Sequence, residues 1–178
     1  MTISRTDPFL TISRTDPFLS VVNRPAGLQD DITVCVMVAL LWKESNFDTT
    51  AQTPPPNTAK GIAQINNRTA DTIQDRVAKN WGGSDPFYTL EKGQRLRNHR
   101  FNPDVSIFAA YIYLDDRYKA TGSLAGALNA YGPGSAKTLL AAECLCSKCG
   151  GLHEDPNTGD WQIVNEQAAW ECLYLIHN

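Results

Sequence analysis

The sequence predicts a mainly α-helical single domain built around one helix that is buried on all sides. Three observations carry this. From residue 32 to residue 42 the chain runs I-T-V-C-V-M-V-A-L-L-W, apolar at every position except Thr33. A bilayer span takes about 20 residues, so this run is too short to cross one and suits a core helix. Downstream, Asn102-Pro103 opens a segment in which Ile107, Phe108, Tyr111, Ile112 and Leu114 recur with helical spacing. No segment alternates apolar and polar residues with the period of two that a half-buried strand needs. With 178 residues, 42% hydrophobic and 20% charged, the chain can bury a real core and is ordinary globular material.

Taken in order, the chain begins with a tandem copy. Residues 2–10, T-I-S-R-T-D-P-F-L, recur unchanged at 11–19. A repeat this short builds no solenoid, so residues 1–19 are read as a duplicated extension, natural or artificial, and 20–178 as the domain. The start lacks the basic-then-apolar pattern of a secretory signal, which predicts a mature fragment or export by another route. Asp30 and Asp31 suit the start of the core helix, where acids meet the positive helix end. Pro54-Pro55-Pro56 then forces a loop. Asn67 is expected to cap a helix over 68–80 closed by Gly82-Gly83. Asp85-Pro86 can open another, interrupted at Gly93.

Asn102-Pro103 repeats that start signal, and its helix should end near Gly122. Ser123 is expected to cap a short helix to Asn129, and Ser135 one to about Cys144. Residues 146–159 look like an ordered loop. Asp160 should cap the last helix, with Trp161, Ile163, Val164, Ala168, Trp170, Leu173 and Ile176 facing inward.

Charge narrows the function. A formal net charge of −3 with no basic stripe gives no support to nucleic-acid binding. The only basic cluster, Arg95, Arg97, His99 and Arg100, reads as a solvated helix face. The five cysteines admit several states. Cys144, Cys146 and Cys149 with His153 form a C-x-C-x-x-C run that could hold zinc, although structural zinc usually takes paired C-x-x-C knuckles. In an oxidising compartment, disulfides to Cys172 or Cys35 are equally allowed, and free thiols are the third possibility. An odd total leaves at least one cysteine unpaired in a monomer.

The chemistry centres on Glu44, the only carboxylate between Asp31 and Asp48. At the end of an apolar helix, burial and the negative helix terminus both favour the neutral carboxyl, the form that a general acid needs. A helix-terminal Glu turned to solvent is the competing reading. Asp48 is the one acid between Glu44 and Gly61, and it would lie a helical turn on only if the helix continued, which the triple proline argues against. A second catalytic acid is therefore not evident.

Glu44-Ser45, Phe47, Ala51, Gly61-Ile62-Ala63-Gln64-Ile65 and Ala130-Tyr131-Gly132-Pro133-Gly134 together resemble the soluble lytic transglycosylase domain, which is related to goose-type lysozyme. The pattern of that family is E-S-x-F, G-L-M-Q-I, N-P-x-x-N-I and A-Y-N-x-G, and the resemblance covers residues 32–140. It implies a lysozyme-like helical fold whose central helix carries the catalytic Glu. It implies cleavage of the β-1,4 bond between MurNAc and GlcNAc in peptidoglycan, with one Glu serving as acid and then as base. The muramic O6 closes onto C1, with assistance ascribed to the N-acetyl group, and leaves a 1,6-anhydro end.

Carried over by position, Glu44 is catalytic, and Ser45, Gly61, Gln64, Ile65 and Tyr131 bind substrate. The Tyr131 hydroxyl is expected to reach the catalytic carboxylate, and Gln64 to hydrogen-bond sugar. A helix cap, a structural amide and a core aromatic are the plainer readings of Ser45, Gln64 and Tyr131. Two positions depart from the pattern. Gly132 and Ser106 each stand where the family has Asn, and neither offers both an amide donor and a carbonyl. Trp81, Phe87, Tyr88, Tyr111 and Tyr113 could stack on sugar faces or fill the core.

No segment of the sequence is expected to span a membrane. The resemblance further implies no cofactor, a monomer and action at the cell wall, and a small single domain without a secretory signal suits a phage-type endolysin released through a membrane hole. Two other readings stay open. One is a lysozyme- or chitinase-type hydrolase, if Asp48, Asp71 or Asp75 approaches Glu44 within about 5 to 9.5 Å. The other is a glycan-binding module without turnover.

Overall fold

The apolar run folds as helix α1, Val34–Ser45, and the remaining elements are laid around it. The computed structural model describes residues 25, 27–80, 90, 93–147, 151–154 and 161–177. The duplicated start, Gly82-Gly83, Asp85-Pro86, Trp81, Phe87, Tyr88, Cys149 and Asp160 lie outside them. In α1 every residue from Val34 to Trp42 is buried, which is why no polar stripe interrupts its sequence. Thr33 caps it by accepting from the Val36 amide at 3.3 Å, so the cap is Thr33 and not the acids at 30 and 31. A side-chain oxygen caps only from the position directly before the first turn. The helix stops at Asn46, which adopts the left-handed conformation (φ 53°), followed by Phe47, also at positive φ (62°).

Helix α2 spans Asn67–Asn80. Its first turn is satisfied by Asn66, whose Oδ1 accepts from the Thr69 amide at 2.8 Å, one residue earlier than the expected Asn67. A short 3₁₀ turn, Leu96–Asn98, leads to α3, Pro103–Thr121. Asn102 caps α3 as expected, accepting from the Asp104 and Val105 amides, and Pro103 occupies the first turn, where a missing N–H costs nothing. The anticipated stripe Ile107, Phe108, Tyr111, Ile112 and Leu114 is buried throughout. Gly122 closes α3 at φ 74°.

Helix α4, Leu124–Tyr131, is capped by Ser123, which accepts from the Gly126 amide. Helix α5, Ser135–Cys146, enters from Gly134 at φ 93° and has no side-chain cap, so Ser135 is its first residue and not its cap. The expected loop at 146–159 is corrected in part. Cys146 ends α5, and Leu152–Glu154 (β1) pairs antiparallel with Trp161–Ile163 (β2), His153 facing Gln162. Strands of three residues are too short to show alternation, which explains why the hairpin left no periodic signal. The last helix, α6, is Glu166–Tyr174, capped by Asn165. Trp170, Leu173 and Ile176 face inward as expected, whereas Val164 is exposed.

Packing follows from this order. Helix α5 lies along α1, α4 along α3, and α6 against α5. Two disulfides fasten the α1–α5–α6 layer, Cys35 to Cys146 and Cys144 to Cys172. They take Cys144 and Cys146 out of the zinc alternative, and among the described residues no group of three His, Cys, Asp or Glu could hold a metal. This is a lysozyme-like α fold. None of the described helices is long and apolar enough to cross a membrane.

Candidate active site

Glu44 sits in the last turn of α1 with its side chain 17% exposed, and the Lys43 ammonium lies 2.9 Å from its Oε1. The exposed-glutamate reading is thereby set aside: the carboxyl is largely enclosed and ion-paired. Among the described residues nothing is hydrogen-bonded to Oε2. Lys43 also stands at the negative end of the helix dipole, where a cation is favoured.

The segment 61–65 folds against this helix end through side chains that the motif contains. The Ser45 hydroxyl donates to the Leu41 carbonyl and, at 2.7 Å, to the Ile62 carbonyl. Gly61 turns at φ 74°, and a Cβ there would stand 1.7 Å from the Arg100 carbonyl oxygen, so only glycine fits. Gln64, also at positive φ (48°), donates its amide to the Ala51 and Gly61 carbonyls at 3.1 and 2.8 Å. The amide NH₂ is thus committed to backbone. Ile65 is 1% exposed and belongs to the core, and Gly61 is likewise buried, so neither is placed to touch a ligand. Ser106, fully buried, accepts from the Ala63 amide at 3.4 Å, which gives the serine in the Asn position a holding role on this same segment.

Tyr131, at the end of α4, comes from the other side. Its hydroxyl donates to the Ala63 carbonyl at 2.7 Å, so its single proton is not given to Glu44, contrary to expectation. The two groups are nonetheless neighbours. Burial first, and then the charges of Glu44 and Tyr113, hold the phenol well above its usual range. Tyr113 packs edge-on to Tyr131 at 5.3 Å, with the Arg117 guanidinium 5.3 Å from its ring centre. Tyr111 is wholly core. Gly132 borders the pair itself: a Cβ there would lie 3.1 Å from Lys43 Nζ and 3.5 Å from Glu44 Oε1.

The proposed second acids are all exposed, and two of them have partners of their own. Asp48 is exposed and accepts from the Thr50 amide and hydroxyl at 2.8 and 2.7 Å; these hydrogen bonds hold its carboxyl below the ordinary range. Asp71 faces Arg97 at 3.9 Å, and Asp75 lies on the exposed side of α2.

The residue that sequence reasoning missed is Arg100. It is 4% exposed, and it donates to the Thr58, Ile65 and Arg97 carbonyls and to Asn67 Oδ1 at 2.6 to 2.8 Å. It is a clamp on the 58–67 segment and not part of a solvated face. Two adjoining hollows of about 440 and 460 Å³ border this clamp and share Lys60, Asn67 and Arg100; Glu44 lines neither.

The site thus brings together one enclosed carboxyl at a helix end, its lysine partner, the buried Tyr131 phenol and a segment that Ser45 pins to the same helix end. The chain belongs to the transglycosylase SLT domain family, whose model matches residues 22–142. It is thereby a glycosidase of the lytic transglycosylase type, acting on the peptidoglycan of the cell wall. No curated protein and no solved structure matches the chain.

Proposed function

We propose that the protein cleaves the β-1,4 bond between MurNAc and GlcNAc by intramolecular transglycosylation, with Glu44 as its one catalytic carboxyl. The observation that supports this is the contrast in burial: Glu44 is largely enclosed, whereas Asp48, Asp71 and Asp75 are all exposed. Asp48 is bound to Thr50 and Asp71 faces Arg97. Hydrolysis by the usual two-carboxylate route needs a second acid to activate water or trap the sugar.

With one carboxyl the steps balance without water. The Glu44 proton passes to the bridging oxygen as the C1–O4 bond breaks, and positive charge develops on the muramic ring. The resulting carboxylate then takes the proton of the C6 hydroxyl while O6 bonds to C1, which restores the acid for the next cycle. The 61–65 segment and Tyr131 serve as the wall against which the sugar is held, through backbone kept in place by Ser45, Gln64 and Ser106. The two disulfides fit an oxidising compartment, where the cell wall is found.

The test is mass spectrometry of purified peptidoglycan digested by the wild-type protein and by Glu44→Gln. The expected products are muropeptides lighter by one water than hydrolysed ones, present with wild type and absent with the variant. Reducing ends would instead assign a hydrolase with a second acid. An absence of Glu44-dependent products across several wall types would assign a binding module.

A further inference from the structure

Adjacent residues on a helix point about 100° apart and do not ordinarily meet. Lys43 and Glu44 are adjacent, yet Nζ and Oε1 are 2.9 Å apart. The lysine can fold back around the helix end because a cradle is left open for it. A Cβ on Gly132 would stand 3.1 Å from Nζ, and one on Gly134 would stand 3.6 Å from Cε. The two glycines differ in why they are glycine. Gly134 has φ 93°, a backbone state that disfavours other residues. Gly132 has φ −178°, which any residue adopts, so its backbone does not ask for glycine. What the missing side chain at 132 provides is room for the ammonium.

We propose that Lys43, seated beside Gly132, is the positioning residue of the catalytic carboxyl: it fixes Oε1 and leaves Oε2 as the oxygen that gives and takes the proton. With side chains only 13% and 17% exposed, the pair is screened little by water, so the contact holds the carboxyl in one orientation. Gly132 thereby gains a role in the reaction through what it does not contain. This inference rests on the reading of Glu44 as the catalytic group.

The experiment is steady-state turnover of soluble glycan strands by Lys43→Met, Lys43→Arg, Gly132→Val, the Lys43→Met/Gly132→Val pair and Glu44→Gln, with thermal melts to confirm folding. Lys43→Met is expected to lose roughly tenfold or more in kcat with KM within about twofold, as a displaced acid should. Lys43→Arg should keep most of kcat. Gly132→Val should lose at least as much kcat as Lys43→Met, because its side chain displaces the ammonium and also reaches Glu44 Oε1, and the losses should combine less than additively in the double variant, because the lysine contact is removed only once. Should Lys43→Met fail to fold, Lys43→Gln carries the same test. Wild-type kcat in Lys43→Met, or a loss confined to KM, with Glu44→Gln inactive overturns the role of Lys43 and leaves Glu44 standing. Full turnover by Glu44→Gln overturns both.

Discussion

Ser45 donates its hydroxyl to the Ile62 carbonyl across 2.7 Å, and by that bond the residue beside Glu44 holds the 61–65 segment to the end of α1. The same hydroxyl reaches back to Leu41 at 3.3 Å, so it is both a helix-end cap and a latch. Ser45→Ala should cost about 1 to 2 kcal/mol, since a carbonyl that is largely enclosed loses its partner. Turnover should fall with it, because the segment that Ser45 ties to the end of α1 loosens. Thermal melts and kcat measured together check this. A pure KM effect at unchanged stability would make Ser45 a substrate ligand instead.

Arg100 spends its donors on three backbone carbonyls and one amide oxygen, all within the stretch 58–67 or at Arg97. A lysine has one compact charge and no fork, so it cannot span these acceptors. Arg100→Lys is expected to destabilise by about 2 to 4 kcal/mol and to lower activity without touching Glu44. Urea unfolding reads the first effect and turnover at low temperature the second.

Asp115 is fully buried on α3 and gathers Arg76, Lys119 and the Gln29 amide. Burial pushes its carboxyl up, but the hydrogen bonds from Lys119 and Arg76 prevail and hold it below the ordinary range. A depressed folded value means that the stabilisation is present above the unfolded value, about 3.9, and is lost as pH falls through the folded one. Asp115→Asn should therefore cost about 2 kcal/mol at neutral pH, the buried-pair figure being reduced because Arg76 and Lys119 are partly exposed. The gap between variant and wild type should shrink below about pH 4. Denaturant melts across pH 3 to 7 test the trend, and a gap that stays constant over that span would remove the charge from the explanation.

The disulfides close loops of different length, 111 residues for Cys35–Cys146 and 28 for Cys144–Cys172. If restriction of the unfolded chain dominates, they contribute about 5 and about 3.5 kcal/mol respectively. Paired Cys→Ala variants compared by equilibrium unfolding should show the larger loss for Cys35/Cys146. The reverse order would point to packing at α6 as the greater source.

The sequence by itself determined the central helix, because a run apolar at every position can be satisfied only by burial on all sides. It also determined the caps at Asn102 and Ser123, which are local hydrogen bonds between a side chain and amides two or three residues on. Glu44 was legible for the same reason: it is the first acid after that apolar run, and the short motifs around it are contiguous. The tertiary structure decided what those motifs do. Gln64 and Tyr131 direct their donors to backbone rather than towards a ligand or Glu44, which depends on carbonyls contributed by other segments. Arg100 looked like one charge in a basic cluster because the carbonyls of Thr58 and Ile65 that it holds are 42 and 35 residues away. The Lys43–Glu44 pair depends on empty space beside Gly132, far along the chain. Local bonding and hydrophobic pattern are written in neighbouring residues, whereas a partner brought in by folding, or the room left by a missing side chain, exists only once the chain has packed.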